Sequence, residues 1–319
     1  MAVMASSPIS RCARVRACTL VAGLPILLLG FSPLAAWAQP NASARAVPFV
    51  VSPSWVAERL GKAPLVLLHV GDKAEYEGTH IPGAQFIALS DISVERDGLT
   101  LELPPVEKLE AEFEKRGVGD SSLIVLYFGR DWVSPTTRVF LTLDYLGLGD
   151  RTAILDGGLP AWRAEGHPVT AAITPATPGA LTPRVRPGAI ADLAFVKASL
   201  RTPSIAIIDA RTPAFYTGED DGRGRYARPG HIAGAASVPF NTVVTDDNRF
   251  KDVAALRALF VAAGADSGDQ VVSYCHVGQQ ATVIYFVARY LGYDAKLYDG
   301  SFTEWVQKPE LPIEKGPGR

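Results

Sequence analysis

Cys275 stands in the segment VVSYCHVGQQATVIYFVARYLGY, where an apolar run from Val271 to Tyr274 gives way to a short polar loop and then to a helical pattern reaching Leu291. That order reads as strand, turn, helix, and the cysteine occupies the hinge. There its sulfur faces several backbone N–H groups and the positive end of the helix dipole, which favour thiolate over thiol. The chemistry open to such a group is nucleophilic attack. The alternative use of a free cysteine is as a small buried hydrophobe, and the loop position argues against it.

The chain has 319 residues and three cysteines. Cys12 and Cys18 fall in a stretch laid out as a secretory signal over residues 1–38, with basic Arg11, Arg14 and Arg16, an apolar segment from Leu20 to Phe31, and Ala36-Trp37-Ala38 as a small-x-small cleavage site. Gly23, Pro25 and Gly30 interrupt the apolar segment, which is short for a membrane anchor. The expected product is exported, to a periplasm by the layout of its leader, and starts at Gln39 with Cys275 as its one cysteine, so no internal disulfide can form. A net charge of −2, without a basic stripe or charge run, argues against nucleic acid or a membrane surface as partner. A small molecule is the expected ligand.

The elements that position Cys275 appear twice. The first half carries VLLHV, then Thr79-His80-Ile81-Pro82-Gly83-Ala84, LIVLYF, a helix ending DYLGL, and Leu155-Asp156-Gly157-Gly158 with Trp162. The second carries AIIDAR, then Gly230-His231-Ile232-Ala233-Gly234-Ala235, VVSYC, a helix ending RYLGY, and Tyr298-Asp299-Gly300-Ser301 with Trp305. This is a duplicated unit, divided as residues 45–170, a proline-rich extended linker 171–187, and residues 188–315. Short buried strands alternate with amphipathic helices such as Val106–Arg116 and Val253–Ala263. The pattern predicts an α/β fold in which each half is a small parallel sheet covered on both faces, each burying its own core. Ligands in such sheets bind beyond the carboxyl ends of the strands, where Cys275 lies. Its counterpart in the first half is Phe128 if the strands are aligned, or Arg130 if the Leu-Gly pairs are matched; neither is a nucleophile. Trp132 is then either part of a substrate-side wall or packing at the domain junction.

The ordered set of His-Ile-x-Gly-Ala, Cys-x-x-Gly and Asp-Gly-Gly/Ser…Trp resembles the rhodanese family of sulfurtransferases in its tandem two-domain form, over nearly the whole mature chain. The resemblance implies a catalytic C-terminal domain, an N-terminal domain without its cysteine, and an active site in the cleft between them. It implies a Cys275 persulfide that takes sulfur from an anionic donor such as thiosulfate and yields it to cyanide or a thiol, without a cofactor or metal. It also implies a loop curled around the sulfur, so that the amides of His276, Val277, Gly278, Gln279 and Gln280 form an anion cradle, with Gly278 permitting the curl. Arg211 occupies the place of a substrate-contacting arginine, with a structural ion pair as the alternative. Of the arginines in GEDDGRGRYARPG (residues 218–230), Arg228 is the candidate for a second substrate arginine, the alternative being a solvated loop charge. His276 either adds positive charge or points to solvent.

Thiosulfate-preferring members place basic residues after the cysteine and mercaptopyruvate-preferring members have Cys-Gly-Ser-Gly-Val-Thr, whereas this chain has CHVGQQAT and fits neither. Thiosulfate is preferred because the local arginines suit a compact dianion; 3-mercaptopyruvate is the alternative donor. A persulfide carrier or redox-sensing module is the non-enzymatic alternative. A cysteine phosphatase needs an arginine six positions after its nucleophile, and Ala281 stands there. The five histidines are scattered without the spacing of zinc ligands; His80 and His231, at matched points of the repeat, are expected to support the fold.

Overall fold

The structure, a computed structural model, describes residues 45–130 and 132–318; the leader expected over 1–38 lies outside them. The first half runs β1 (Val50–Val51), α1 (Pro53–Ala57), β2 (Leu65–Val70), α2 (Lys73–Gly78) and β3 (Gln85–Ile87). A hairpin follows, β4 (Val94–Arg96) and β5 (Leu99–Glu102), then α3 (Val106–Glu114), β6 (Leu123–Phe128), α4 (Ser134–Tyr145), β7 (Thr152–Leu155) and α5 (Gly158–Ala164). The second half has β8 (Ile190–Ala191), α6 (Leu193–Ser199), β9 (Ile205–Asp209), α7 (Pro213–Thr217), β10 (His231–Ile232) and β11 (Ala236–Ser237). It ends with α8 (Val253–Ala262), β12 (Gln270–Tyr274), α9 (Ala281–Leu291), β13 (Asp294–Tyr298), α10 (Ser301–Val306) and β14 (Ile313–Glu314).

Two five-stranded parallel sheets result, in the orders β1-β7-β6-β2-β3 and β11-β9-β12-β13-β8. The orders are the same when one is read backwards, so β6 and β12 are the matching central strands. Both are near-continuous apolar runs, as strands covered on two faces must be. The duplication extends to single bonds. Tyr127 and Tyr274 each accept, through the phenol oxygen, from the amide of Ile81 or Ile232 at 3.1 Å. His80 and His231 each bond through Nδ1 to the carbonyl of a stacked tyrosine, Tyr76 at 2.6 Å and Tyr216 at 2.8 Å. Trp162 and Trp305 donate Nε1–H to the carbonyls of Pro168 and Pro312. These histidines hold turns of the fold.

The halves do not keep wholly separate cores, contrary to the sequence expectation. Each has a private cluster, but the largest one is continuous from Leu68 and Phe128 in the first half to Val271 and Phe286 in the second. Its seam is α4 against α9. Phe49, Phe140, Phe250 and Phe286 meet there at ring distances between 4.7 and 5.9 Å. Thr137 and Thr282 share a hydroxyl bond of 2.7 Å, and the buried Asp144 carboxylate receives Tyr285 at 2.5 Å, Arg289 at 3.0 Å, and Arg186. The burial of α4 explains why most of its polar groups are partnered inward; among the described residues Thr136 Oγ1 and Arg138 Nε are the groups of this helix left without a partner. Residues 171–186 form no helix or strand; they are pinned to the first half where Gly179 donates to the Glu114 carbonyl and Arg184 to that of Leu146, at 2.8 and 2.9 Å.

Candidate active site

Cys275 follows β12 directly, beside the end of β9, because Tyr274 pairs with Asp209. It is 1 % exposed and unpaired with any other cysteine. Its amide donates to Ser301 Oγ at 3.2 Å, and that hydroxyl donates in turn to the Tyr298 carbonyl at 2.8 Å. Four of the five carbonyls from Cys275 to Gln279 are held. The Cys275 carbonyl accepts from the Phe302 amide at 3.0 Å, and that of His276 from the Thr303 amide at 3.2 Å and hydroxyl at 2.7 Å. The Gly278 carbonyl accepts from Arg138 Nη1 at 3.2 Å, and that of Gln279 from the Thr282 hydroxyl at 2.6 Å and Ser134 at 3.3 Å.

These bonds fix where the amides point. A trans peptide directs its C=O and the next N–H to opposite sides, and the one cis bond among the described residues is Ala63-Pro64, far from here in sequence. Each anchored carbonyl therefore turns the following N–H away from its anchor: those of His276, Val277, Gln279 and Gln280. Among the described residues none accepts from the amides of 276–280. The curl needs Gly278 in the left-handed region, at φ +79°, which a glycine adopts freely. A β-carbon there would stand 2.6 Å from Asp299 Oδ1 and 2.8 Å from the Asp299 carbonyl.

The side chains around the loop differ from the sequence expectation. Arg211 is fully buried and paired with Asp209, Nη2 to Oδ2 at 2.5 Å and Nε to both oxygens, while Nη2 also reaches the Gly230 carbonyl at 2.7 Å. Its guanidinium lies 4.1 Å from the centre of the Phe302 ring. Burial opposes its charge, but Asp209 more than restores it and holds the pKa above the ordinary value. Only Nη1 lacks a partner among the described residues. The arrangement is that of the ion-pair alternative with one donor left over. Arg211→Ala should therefore act on stability first, because it strips a buried carboxylate of its counter-ion. A loss of about 3 kcal/mol in urea unfolding is expected; unchanged stability with a raised donor KM would instead make the arginine a substrate contact.

Arg228 donates to the carbonyls of Lys308 at 2.8 Å and Leu311 at 2.5 Å, tying the 218–230 insert to the C-terminal segment; no described contact brings it to the loop. Arg225 reaches Thr303 Oγ1 at 3.4 Å. Val277, Gln279 and Gln280 are partly buried, and Gln280 Oε1 has no partner among the described residues.

His276 neither carries charge nor stands free in solvent. Its Nδ1 bonds to the Tyr226 hydroxyl at 2.7 Å, and its ring meets Phe215 edge-on at 4.5 Å. Burial, with Arg211 and Arg225 adding positive potential, pushes its pKa down to about 4. The folded value lies below the unfolded value of about 6.5, so the unfolded chain binds the extra proton between these limits. Folding stability thus falls as pH drops from about 6.5 to about 4, by on the order of 3 kcal/mol from this group. The His69 imidazole, also lowered to about 4 by burial, acts with the same sign. Comparing wild type with His276→Asn by thermal melts at pH 7 and pH 4.5 isolates the first share; equal pH dependence in both proteins would remove His276 from the account.

In the first half, the strand register pairs Val70 with Phe128 and His69 with Tyr127, which makes Phe128 the structural counterpart of Cys275. Matching the Leu-Gly pairs shifts the alignment by two residues, to Arg130, and the strand register does not follow it. Phe128 packs on Gly158, the counterpart of Ser301. A cleft of about 420 Å³ at the junction of the halves is lined by Trp132, Phe240, Asp246 and Gln280, with the Trp132 and Phe240 rings 4.7 Å apart. Trp132 thus both packs at the junction and forms a wall beside the start of α9. Among the described residues no group of His, Cys, Asp or Glu gathers in a way that could hold a metal ion, and no helix is long and apolar enough to cross a membrane.

The rhodanese-like domain family matches residues 52–165 and again 192–308. The chain belongs to the rhodanese family. Its rhodanese relatives include the sulfur carrier protein TtuD of Thermus thermophilus, 31% identical over 84% of this chain and 96% of that protein. They also include the thiosulfate sulfurtransferase of Azotobacter vinelandii, 28% identical over 84% of this chain and 97% of that one. Among solved structures, the rhodanese pair resembles YnjE, with a TM-score of 0.71 at 24% identity over 84% of this chain and 68% of that one. It also resembles the anaerobic ergothioneine biosynthesis enzyme from Chlorobium limicola, with a TM-score of 0.73 at 22% identity over 84% and 70%. At these identities the structures attest the fold alone.

Sequence reasoning missed several residues that shape this rhodanese loop: Arg138, Asp299, Ser301, Thr303 and Tyr226. One signal was available. The Asp-Gly-Gly and Asp-Gly-Ser motifs differ at Gly158 and Ser301, so the half with the cysteine is the half with a hydroxyl to receive that cysteine's amide.

Proposed function

We propose that this rhodanese is an exported thiosulfate sulfurtransferase acting through a persulfide on Cys275. The Cys275 thiolate attacks the outer sulfur of thiosulfate; the donor S–S bond breaks and sulfite leaves with its electron pair. Cyanide or a thiolate then attacks the outer sulfur of the persulfide, and the Cys275 thiolate departs as the leaving group. The observation that carries the reading is the set of anchored carbonyls of Cys275, His276, Gly278 and Gln279, beside amides of 276–280 that have no acceptor among the described residues. Those N–H groups, at the N-terminal end of α9, are suited to the charge on the attacking sulfur and on the departing sulfite. The field is favourable too, since Arg211 and Arg225, which add to burial in lowering the His276 pKa, also attract a dianion. Export to a periplasm is supported by the leader-like layout of residues 1–38.

Intact-mass spectrometry of the mature protein before and after thiosulfate, and then after cyanide, tests this. The expected result is one added sulfur on Cys275, removed by cyanide as thiocyanate. No adduct with thiosulfate, but one with 3-mercaptopyruvate, would move the donor to that compound, which the name of an Arabidopsis relative also carries. A persulfide that forms but yields to no small acceptor would favour a carrier role, the reading that the likeness to the Thermus protein supports.

A further inference from the structure

We infer that the half without a nucleophile takes part in the chemistry through α4, with Arg138 as the positioning residue that aims the catalytic loop. This rests on the persulfide reading of Cys275. Arg138 is a charged residue in the middle of a buried helix, 0 % exposed. Its guanidinium joins three places that are distant in sequence. Nη1 donates to the Gly278 carbonyl at 3.2 Å and to Asp299 Oδ1 at 2.5 Å, and Nη2 donates to Asp299 Oδ2 at 3.3 Å and to the Leu101 carbonyl of β5. Ser134, one helical turn earlier and so on the same face, donates to the Gln279 carbonyl at 3.3 Å. Two residues of the first half thus hold two successive carbonyls of the second half's loop.

The consequence follows from the planarity of the peptide. With its carbonyl drawn to Arg138, the Gly278–Gln279 peptide must turn the Gln279 N–H to the opposite side. Gly278 supplies no side chain that could fix this peptide, and among the described residues Arg138 is the donor that meets its carbonyl. The Gln279 carbonyl, by contrast, has Thr282 of its own half as well. A staple between domains would not need this arrangement: Asp144 already joins α4 to Arg289 and Tyr285. Arg138 Nε, moreover, is buried without a partner among the described residues, a cost that a purely stabilising arginine would not carry to advantage.

The test reads the loop's preference for negative charge without using sulfur transfer. Second-order rates of Cys275 alkylation by iodoacetate and by iodoacetamide are measured, and their ratio cancels differences in access. The ratio should fall about tenfold or more in Arg138→Met, in line with the loss of an oriented amide donor. Asp144→Asn, which weakens the neighbouring interdomain pair, should leave it unchanged. If Arg138→Met does not fold, as judged by circular dichroism, Arg138→Lys serves: it keeps the charge beside Asp299 but loses the fork, and a threefold or greater fall is expected. An unchanged ratio in the folded Arg138 variants, or an equal fall in Asp144→Asn, overturns the inference. Failure of the wild type to take sulfur from any donor would instead count against the proposed function and leave this ratio readable.

Discussion

Serine at position 275 abolishes sulfur transfer, by about 10⁴-fold or more, in a protein that still folds; that is the largest effect expected of any single change. The hydroxyl is not ionised at neutral pH and its oxygen does not form a stable bond to a transferable sulfur, so both half-reactions stop. Little else should change. Cys275 is a small side chain buried at 1 % exposure, and its backbone is held by Ser301 and Phe302 through main-chain atoms that serine retains. The cost in stability should stay near 1 kcal/mol, that of a buried hydroxyl with imperfect partners. Donor consumption, thiocyanate release and a thermal melt check the three statements together. Wild-type turnover in the variant would sink the mechanism.

The second large effect is that of Gly278→Ala. The residue is at φ +79°, where an L side chain costs roughly 1 kcal/mol. The new methyl would also stand 2.6 Å from an Asp299 oxygen that is itself held by Arg138. Asp299 cannot yield without releasing Arg138, so the loop must move instead. A displacement of about an ångström at reacting groups is enough for a 10²-fold loss. The expected result is a fall of about that size in kcat/KM for the donor, with about 2 kcal/mol lost in stability. Pre-steady-state persulfide formation followed by mass, with urea unfolding alongside, separates the two. A variant that loads sulfur at the wild-type rate would show that the curl of the loop is not what the chemistry needs.

The duplication, the parallel sheets and the position of Cys275 could be read directly from the chain because they rest on local pattern. Short continuous apolar runs, turn residues and a repeated order of motifs are all properties of neighbouring residues. The same is true of the Arg211 alternatives, since its partner Asp209 is two residues away and the choice turned on burial alone. What could not be read is what joins segments more than a hundred residues apart. Nothing in SPTTRVFLTLDY says that Arg138 reaches the carbonyl of Gly278, because a carbonyl has no letter in the sequence. The state of His276 was hidden for a related reason. Its pKa is lowered first by burial and then by Arg211 and Arg225, which come from elsewhere in the chain, and not by its place after the cysteine.

The anchored loop has a bearing on how this site can drift over evolutionary time. Its working groups are main-chain amides, and every residue other than proline carries the same one. Positions 276, 277, 279 and 280 can exchange letters while the inward donors persist, provided that glycine stays at 278 and the outer anchors at Arg138, Thr282, Thr303 and Asp299 stay in place. A loop spelled CHVGQQ can then share its chemistry with loops spelled quite differently, and the heritable constraint lies outside the motif, partly in the half that has no nucleophile.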